Sequence, residues 1–107
     1  MGELIRQQRH FLQLFVQTTP SQRKVLLQTV TKPQLKALSQ IAHNIIRGNI
    51  PLNSTDKTPL KRDRRLIYLL GDKRLGFVHK KKLVQRKELT LYHLVSIALP
   101  YLEPVVK

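Results

Sequence analysis

Prolines and glycines divide this 107-residue chain into short periodic stretches, and that spacing limits what it can build. Pro20, Pro33, Pro51 and Pro59, with Gly48, Gly71 and Gly76, fall between segments whose apolar residues recur every three to four positions. No alternating run and no Asn-Gly or Asp-Gly pair marks a strand or hairpin. The expectation is an all-α fold, a compact bundle of five or six short helices in one domain spanning 1–107. Within it, residues 3–53 are amphipathic helices, 54–87 a strongly basic region, and 88–107 an apolar C-terminal helix.

The first segment, Leu4 to about Thr18, gathers Leu4, Ile5, Phe11, Leu12, Phe15 and Val16 on one side of a helical wheel. Thr19-Pro20 then supplies an N-cap and a first-turn proline for a short helix through Val30 that buries Val25, Leu26 and Val30. Thr31 and Pro33 repeat the device for a helix running to Arg47, which Gly48-Asn49 ends with a left-handed cap. On that helix Leu35, Leu38, Ile41, Ala42, Ile45 and Ile46 face one way; Lys32, Lys36, Ser39, His43 and Arg47 face the other. Ile50-Pro51-Leu52 is extended, because a residue before proline is pushed out of the helical region. Asn53-Ser54-Thr55-Asp56 offers several caps for the next helix, and Pro59 points to Thr58 as a further one; the helix ends at Gly71-Asp72 with Leu60, Ile67 and Leu70 on its apolar face and Lys57, Lys61, Arg64, Arg65 and Tyr68 opposite. Residues 78–87 form a short helix or an irregular basic stretch. From Thr90 to about Leu102 the chain is apolar nearly all round, the pattern of a buried helix, and Pro100 and Pro104 limit its extent.

Charge is the second constraint. Twenty Lys and Arg stand against six Asp and Glu, a net charge of +14. Twelve of those cations and three of those acids lie in residues 51–87, whereas residues 88–107 hold one Lys and two Glu. Such a surplus opposes compaction and raises affinity for polyanions. A solvating surface interleaves both signs; here two successive helices each carry an outward cationic stripe, followed by His79-Lys80-Lys81-Lys82 and Arg86-Lys87. The candidate nucleic-acid contacts are therefore Lys32, Lys36, Arg47, Lys57, Lys61, Arg64, Arg65, Lys80, Lys81, Lys82, Arg86 and Lys87. Tyr68 joins them as a ring that can stack on a base or sugar. Residues 20–47 can also be read as a helix-turn-helix, but only Gln34 and Gln40 suit base readout near the start of its second helix. Backbone-dominated, sequence-independent binding is the expectation, with duplex DNA the favoured partner.

Other chemistry is thinly represented. The chain has no Cys, which removes disulfides, thiolate–zinc sites and cysteine nucleophiles. Its acids (Glu3, Asp56, Asp63, Asp72, Glu88, Glu103) and its four histidines (His10, His43, His79, His93) form no spacing suited to metal-assisted hydrolysis. The stretch Gly71 to Gly76 lacks the Lys-Ser/Thr of a phosphate cradle. A non-enzymatic protein without cofactor or metal is expected. No run nears the ~20 apolar residues of a membrane span, and Arg6, Arg9 and four Gln interrupt Met1 to Gln17, so no signal peptide is read there.

The stretch from Gln34 to Leu52, "QLKALSQIA" through "I-x-G-N-I-P-L", followed by a Lys/Arg helix, resembles a family of small cationic proteins. These are encoded by Maverick/Polinton-type elements and adintovirus-like viruses of invertebrates, and the resemblance covers roughly residues 20–87. It implies a virion core or accessory protein, analogous to the DNA-condensing core proteins of adenoviruses, located in the virion and host nucleus. By position it implies phosphate contacts from Lys36, Arg47, Lys61, Arg64 and Arg65. Members of that family often end in a glycine-containing apolar tail, whereas Glu88 to Lys107 has no glycine. The cluster Lys61-Arg62-Asp63-Arg64-Arg65 also suits a nuclear-import signal. The alternatives are a helical module that docks a capsid or host protein, and a membrane-active protein inserting Leu91, Leu94, Val95, Ala98, Leu99 and Leu102. Homo-oligomerisation is a further expectation for a chain this small and this charged.

Overall fold

The computed structural model describes residues 3–102, which form eight α-helices and, among those residues, no strand. They are α1 (Glu3–Gln7), α2 (Arg9–Gln17), α3 (Pro20–Gln28), α4 (Lys32–Ile46), α5 (Ser54–Arg62), α6 (Arg64–Leu70), α7 (Phe77–Gln85) and α8 (Glu88–Leu102). The all-helical expectation holds, but five or six helices become eight. The radius of gyration, 12.7 Å, matches the roughly 13 Å of a compact chain this long. The expected helix of 88–107 is described as far as Leu102, so Glu103 and Pro104 lie outside the described residues.

Both Thr-led helices start as expected, each with a full capping box. The Thr19 hydroxyl accepts the Gln22 N–H while the Gln22 side chain accepts the Thr19 N–H, and Thr31 and Gln34 repeat the exchange. At the far end of α4, Gly48 takes φ 75°. The Asn49 N–H reaches the Asn44 carbonyl at 2.9 Å and the Gly48 N–H reaches Ile45 at 3.1 Å, a Schellman closure.

Two expected helices are each divided, and the division has one cause. At Gln8 the backbone swings to φ −100°, ψ 16°, so that α1 packs on α4 while α2 packs on α8. At Asp63 it swings to φ −123°, ψ 42°, and α5 packs on α8 while α6 packs on α4. A single straight helix cannot lie along two neighbours that diverge. Asp63 does not cap α6; its carboxylate accepts the Thr90 hydroxyl and pairs with the Lys87 ammonium at 3.1 Å.

The helix after Pro51 opens at Ser54, among the Asn53–Asp56 caps rather than at Thr58, which places Pro59 inside α5 at the expense of a backbone bond to Thr55. Helix α8 starts at Glu88, the bound expected for the C-terminal helix, and Pro100 lies inside it. Val25 is 57 % exposed, and the inward positions of α3 are Arg23 and Leu27. In the run Val25-Leu26-Leu27 the helical period can select only one side, and an ion pair on Arg23 decides which.

That pair joins elements 65 residues apart. The Arg23 guanidinium donates to the Glu88 carboxylate and, at 2.6 Å, to the Thr18 carbonyl, and it lies 4.2 Å from the centre of the Tyr92 ring. It fixes the start of α8, whose Leu91, Leu94, Val95 and Ala98 are fully buried at the centre of the core among Leu12, Phe15, Leu38, Ile41 and Leu70. Removing one partner of a buried ion pair costs about 3–5 kcal/mol, while surface changes stay within about 0.5 kcal/mol. Arg23→Ala is therefore expected to lower unfolding stability in urea by about 3 kcal/mol or more, and the exposed neighbour change Lys24→Ala to leave it unaltered. Equal midpoints for the two variants would contradict this account.

Candidate functional site

Helices α4, α6 and α7 pack pairwise on one another, and the cations expected to meet phosphate gather in grooves around them. Gly71 brings the end of α6 against α4: a Cβ there would stand 3.1 Å from the His43 backbone nitrogen and 3.0 Å from Ile46 Cδ1. Its lack of a side chain sets how closely the following 71–77 turn lies beside the outer face of α4.

The first groove runs between α4 and α7. Lys32, Lys36, Ser39 and Gln40 line it from α4, Lys73 and Phe77 from the other side, and Lys80 from α7, around about 390 Å³. It continues past Lys73 and Lys80 toward His43 and Asn44. In the second groove Lys57 and Lys61 of α5 and Arg64 and Tyr68 of α6 surround an apolar floor that includes Ile45, Leu60 and Ile67. The third sets His79, Lys82 and Arg86 around Leu69 and Leu83. Among the described residues, no carboxylate lines any of the three.

The carboxylates are engaged elsewhere. Glu3 pairs with Arg6, Asp63 with Lys87, Asp72 with Arg74 and Glu88 with Arg23. The Thr90 hydroxyl, followed by Lys87, holds the Asp63 carboxyl below its ordinary range. The Arg74 side chain and backbone N–H do the same for Asp72. These four acids thus form their ion pairs with cations other than those lining the grooves, and Asp72 acts on Lys80 only at a distance. Asp63 reaches across the fold to Lys87 rather than capping or pairing with its sequence neighbours.

The expected contact residues separate accordingly. Lys32, Lys36, Lys57, Lys61, Arg64, Lys82, Arg86 and Tyr68 are exposed on the grooves. Arg47 and Arg65 are exposed but line none of them. Lys81 is half-buried, its ammonium 5.7 Å from the Phe77 ring centre, with Lys32 at 5.9 Å from the same ring. Phe77 is half-buried, packed against the hydrophobic core on one side and lining the groove on the other. Two residues depart from an outward phosphate-contact role. Lys87 is tied to Asp63, and Lys80 is only 8 % exposed, its ammonium donating to the Ser39 hydroxyl at 3.2 Å.

Helix α3 packs chiefly on α7 and α8, and the Gln34 carboxamide oxygen accepts the Thr31 N–H in its capping box. Lys73 and His79 entered no expected set, though both line grooves. Lys73 sits in a turn, where no period assigns a face. No family of known proteins, no curated protein and no solved structure matches this chain.

Burial pushes the Lys80 ammonium below its ordinary pKa of 10.5, with nearby Asp72 opposing. A cation whose folded pKa is depressed is protonated in the unfolded chain over a window where the folded chain has released the proton. Stability therefore rises with pH through that window, up to about 10.5. Lys80→Met, which keeps the bulk without the charge, is expected to remain at least as stable as the parent near pH 7 and to lack this alkaline gain. A parent and variant whose stabilities run parallel from pH 7 to 10.5 would exclude it.

Proposed function

We propose that this chain is a non-enzymatic nucleic-acid-binding protein that neutralises the phosphate backbone, of duplex DNA above all, largely without regard to sequence. The observation that carries the reading is the set of three grooves lined by cations that form no ion pair among the described residues, while four carboxylates are bound elsewhere. Clustered, uncompensated ammonium and guanidinium groups release counterions from a polyanion when they meet it, and that release drives association. Tyr68, 56 % exposed beside Arg64, adds a ring for a sugar or base. Packaging or condensation of DNA by a virion core or accessory protein of a Maverick/Polinton-type element is the biological setting this reading carries, by resemblance alone.

The alternative of a membrane-inserting C-terminal segment would require Leu91, Leu94, Val95 and Ala98 to leave the core. No helix among the described residues is long and apolar enough to cross a membrane.

With about six to nine phosphate contacts, the log–log dependence of affinity on salt has a slope of about −5 to −8 on duplex DNA. Two unrelated duplexes are expected to bind alike in a gel shift. Reversing two charges, Lys61→Glu with Arg64→Glu, is expected to weaken both equally and make the slope shallower by about 2. Tight binding that survives high salt, or a strong preference for one duplex, would overturn the proposal.

A further inference from the structure

We infer that the groove between α4 and α7 is a binding site for a phosphomonoester, the dianionic group found on a free nucleotide or at the end of a nucleic-acid strand. The inference goes beyond backbone neutralisation and needs no duplex.

It starts from Lys80. An ammonium removed from water is stabilised only by a counter-ion and by hydrogen bonds to its three donors. Lys80 is 8 % exposed, and among the described residues its one hydrogen bond is to the neutral Ser39 hydroxyl. The carboxylate that acts on it at a distance, Asp72, has both oxygens held by the Arg74 guanidinium and one also by the Arg74 N–H. A buried cation with free donors at the floor of an open groove is an incomplete site, and an anion completes it.

The rest of the groove selects the kind of anion. Lys36 and Lys73 are exposed on its walls, and Lys32 stands at the same cleft; none has an ion pair among the described residues. Four lysines lining one groove favour two charges on one phosphorus over the single charge of a phosphodiester. The Ser39 hydroxyl and Gln40 carboxamide add neutral donors. Leu35, Leu75 and Phe77 supply apolar wall for the sugar or base that carries the phosphate. About 390 Å³ lies within the range of small-molecule pockets and admits one nucleotide, whereas a duplex can only lie across the mouth. Contact with a duplex from outside gives no reason for a lysine at the floor.

Calorimetric titration of the full chain with AMP, adenosine and inorganic phosphate tests this. AMP is expected to bind, inorganic phosphate to bind more weakly, and adenosine not to bind. Lys80→Met and the exposed change Lys73→Ala are each expected to weaken AMP about tenfold or more, since a hydrogen bond to a charged group is worth at least that factor. Lys57→Ala, in a different groove, is expected to leave AMP binding unchanged. Short single strands with a 5′-phosphate or a 5′-hydroxyl separate the two sources. A preference for the phosphorylated strand assigns the site to strand ends, and equal binding alongside AMP binding assigns it to free nucleotides. Absence of AMP binding overturns the inference, as does equal binding of AMP and adenosine. It also fails if AMP weakens as much in Lys57→Ala as in Lys80→Met. Salt-sensitive duplex binding that persists beside any of these failures would leave the backbone-binding proposal standing.

Discussion

The architecture hangs on the buried contact between Arg23 and Glu88. One guanidinium serves the carboxylate at the start of α8, the Thr18 carbonyl just after α2 and the face of the Tyr92 ring. Two charges leave water there, and attraction alone rarely offsets that loss; the added carbonyl bond and the ring are what make the burial tolerable. The preceding residue, Lys87, holds Asp63 at the division between α5 and α6. Two consecutive residues of opposite charge at the α7–α8 junction thus anchor α3 on one partner and the α5–α6 corner on the other. With both ends of this clamp set, the apolar length of α8 has one place to go, between α2, α3, α4, α5 and α7.

This use of the acids has a consequence for the surface. A chain with six carboxylates and twenty cations cannot compensate its charge pair by pair. Glu88 is committed to holding the core in place and Asp63 to the corner; Glu3 and Asp72 pair with cations within three residues in sequence. Most of the cations left over lie on α4, α5, α6 and α7, and the packing of these helices turns many of them into groove walls rather than isolated points. Structural economy in the acids and the unneutralised surface are therefore two sides of one arrangement.

Local chemistry was the legible part of the chain. Thr-Pro starts, the Gly48 stop and the apolar faces of α4 and of Leu60, Ile67 and Leu70 follow from interactions within a turn or two, and the structure has them where the pattern puts them, except that Ile46 at the end of α4 is exposed. The departures have a different origin. Gln8 and Asp63 divide their helices because of neighbours far away in sequence, and nothing within four residues of either signals it. Arg23 and Lys80 carry charges that periodicity alone assigns to the outside; the first is buried because residue 88 is acidic, the second because α7 lies against Ser39 of α4. Of the candidate site, the cations on regular helices were legible as stripes, Lys73 in its turn was not, and Lys80 was legible as a cation but not as a floor.

Salt then acts on two populations of charge. Exposed groups such as Lys57, Lys61 and Arg64 repel one another, and added salt screens them within about 10 Å at 0.1 M, so it favours the fold while weakening any polyanion on the surface. Lys80, only 8 % exposed within the groove between α4 and α7, is governed instead by desolvation. Raising the ionic strength removes the reason for the outer cations to hold a polyanion without removing the reason for Lys80 to accept an anion. The outer cations and Lys80 are separable by that difference.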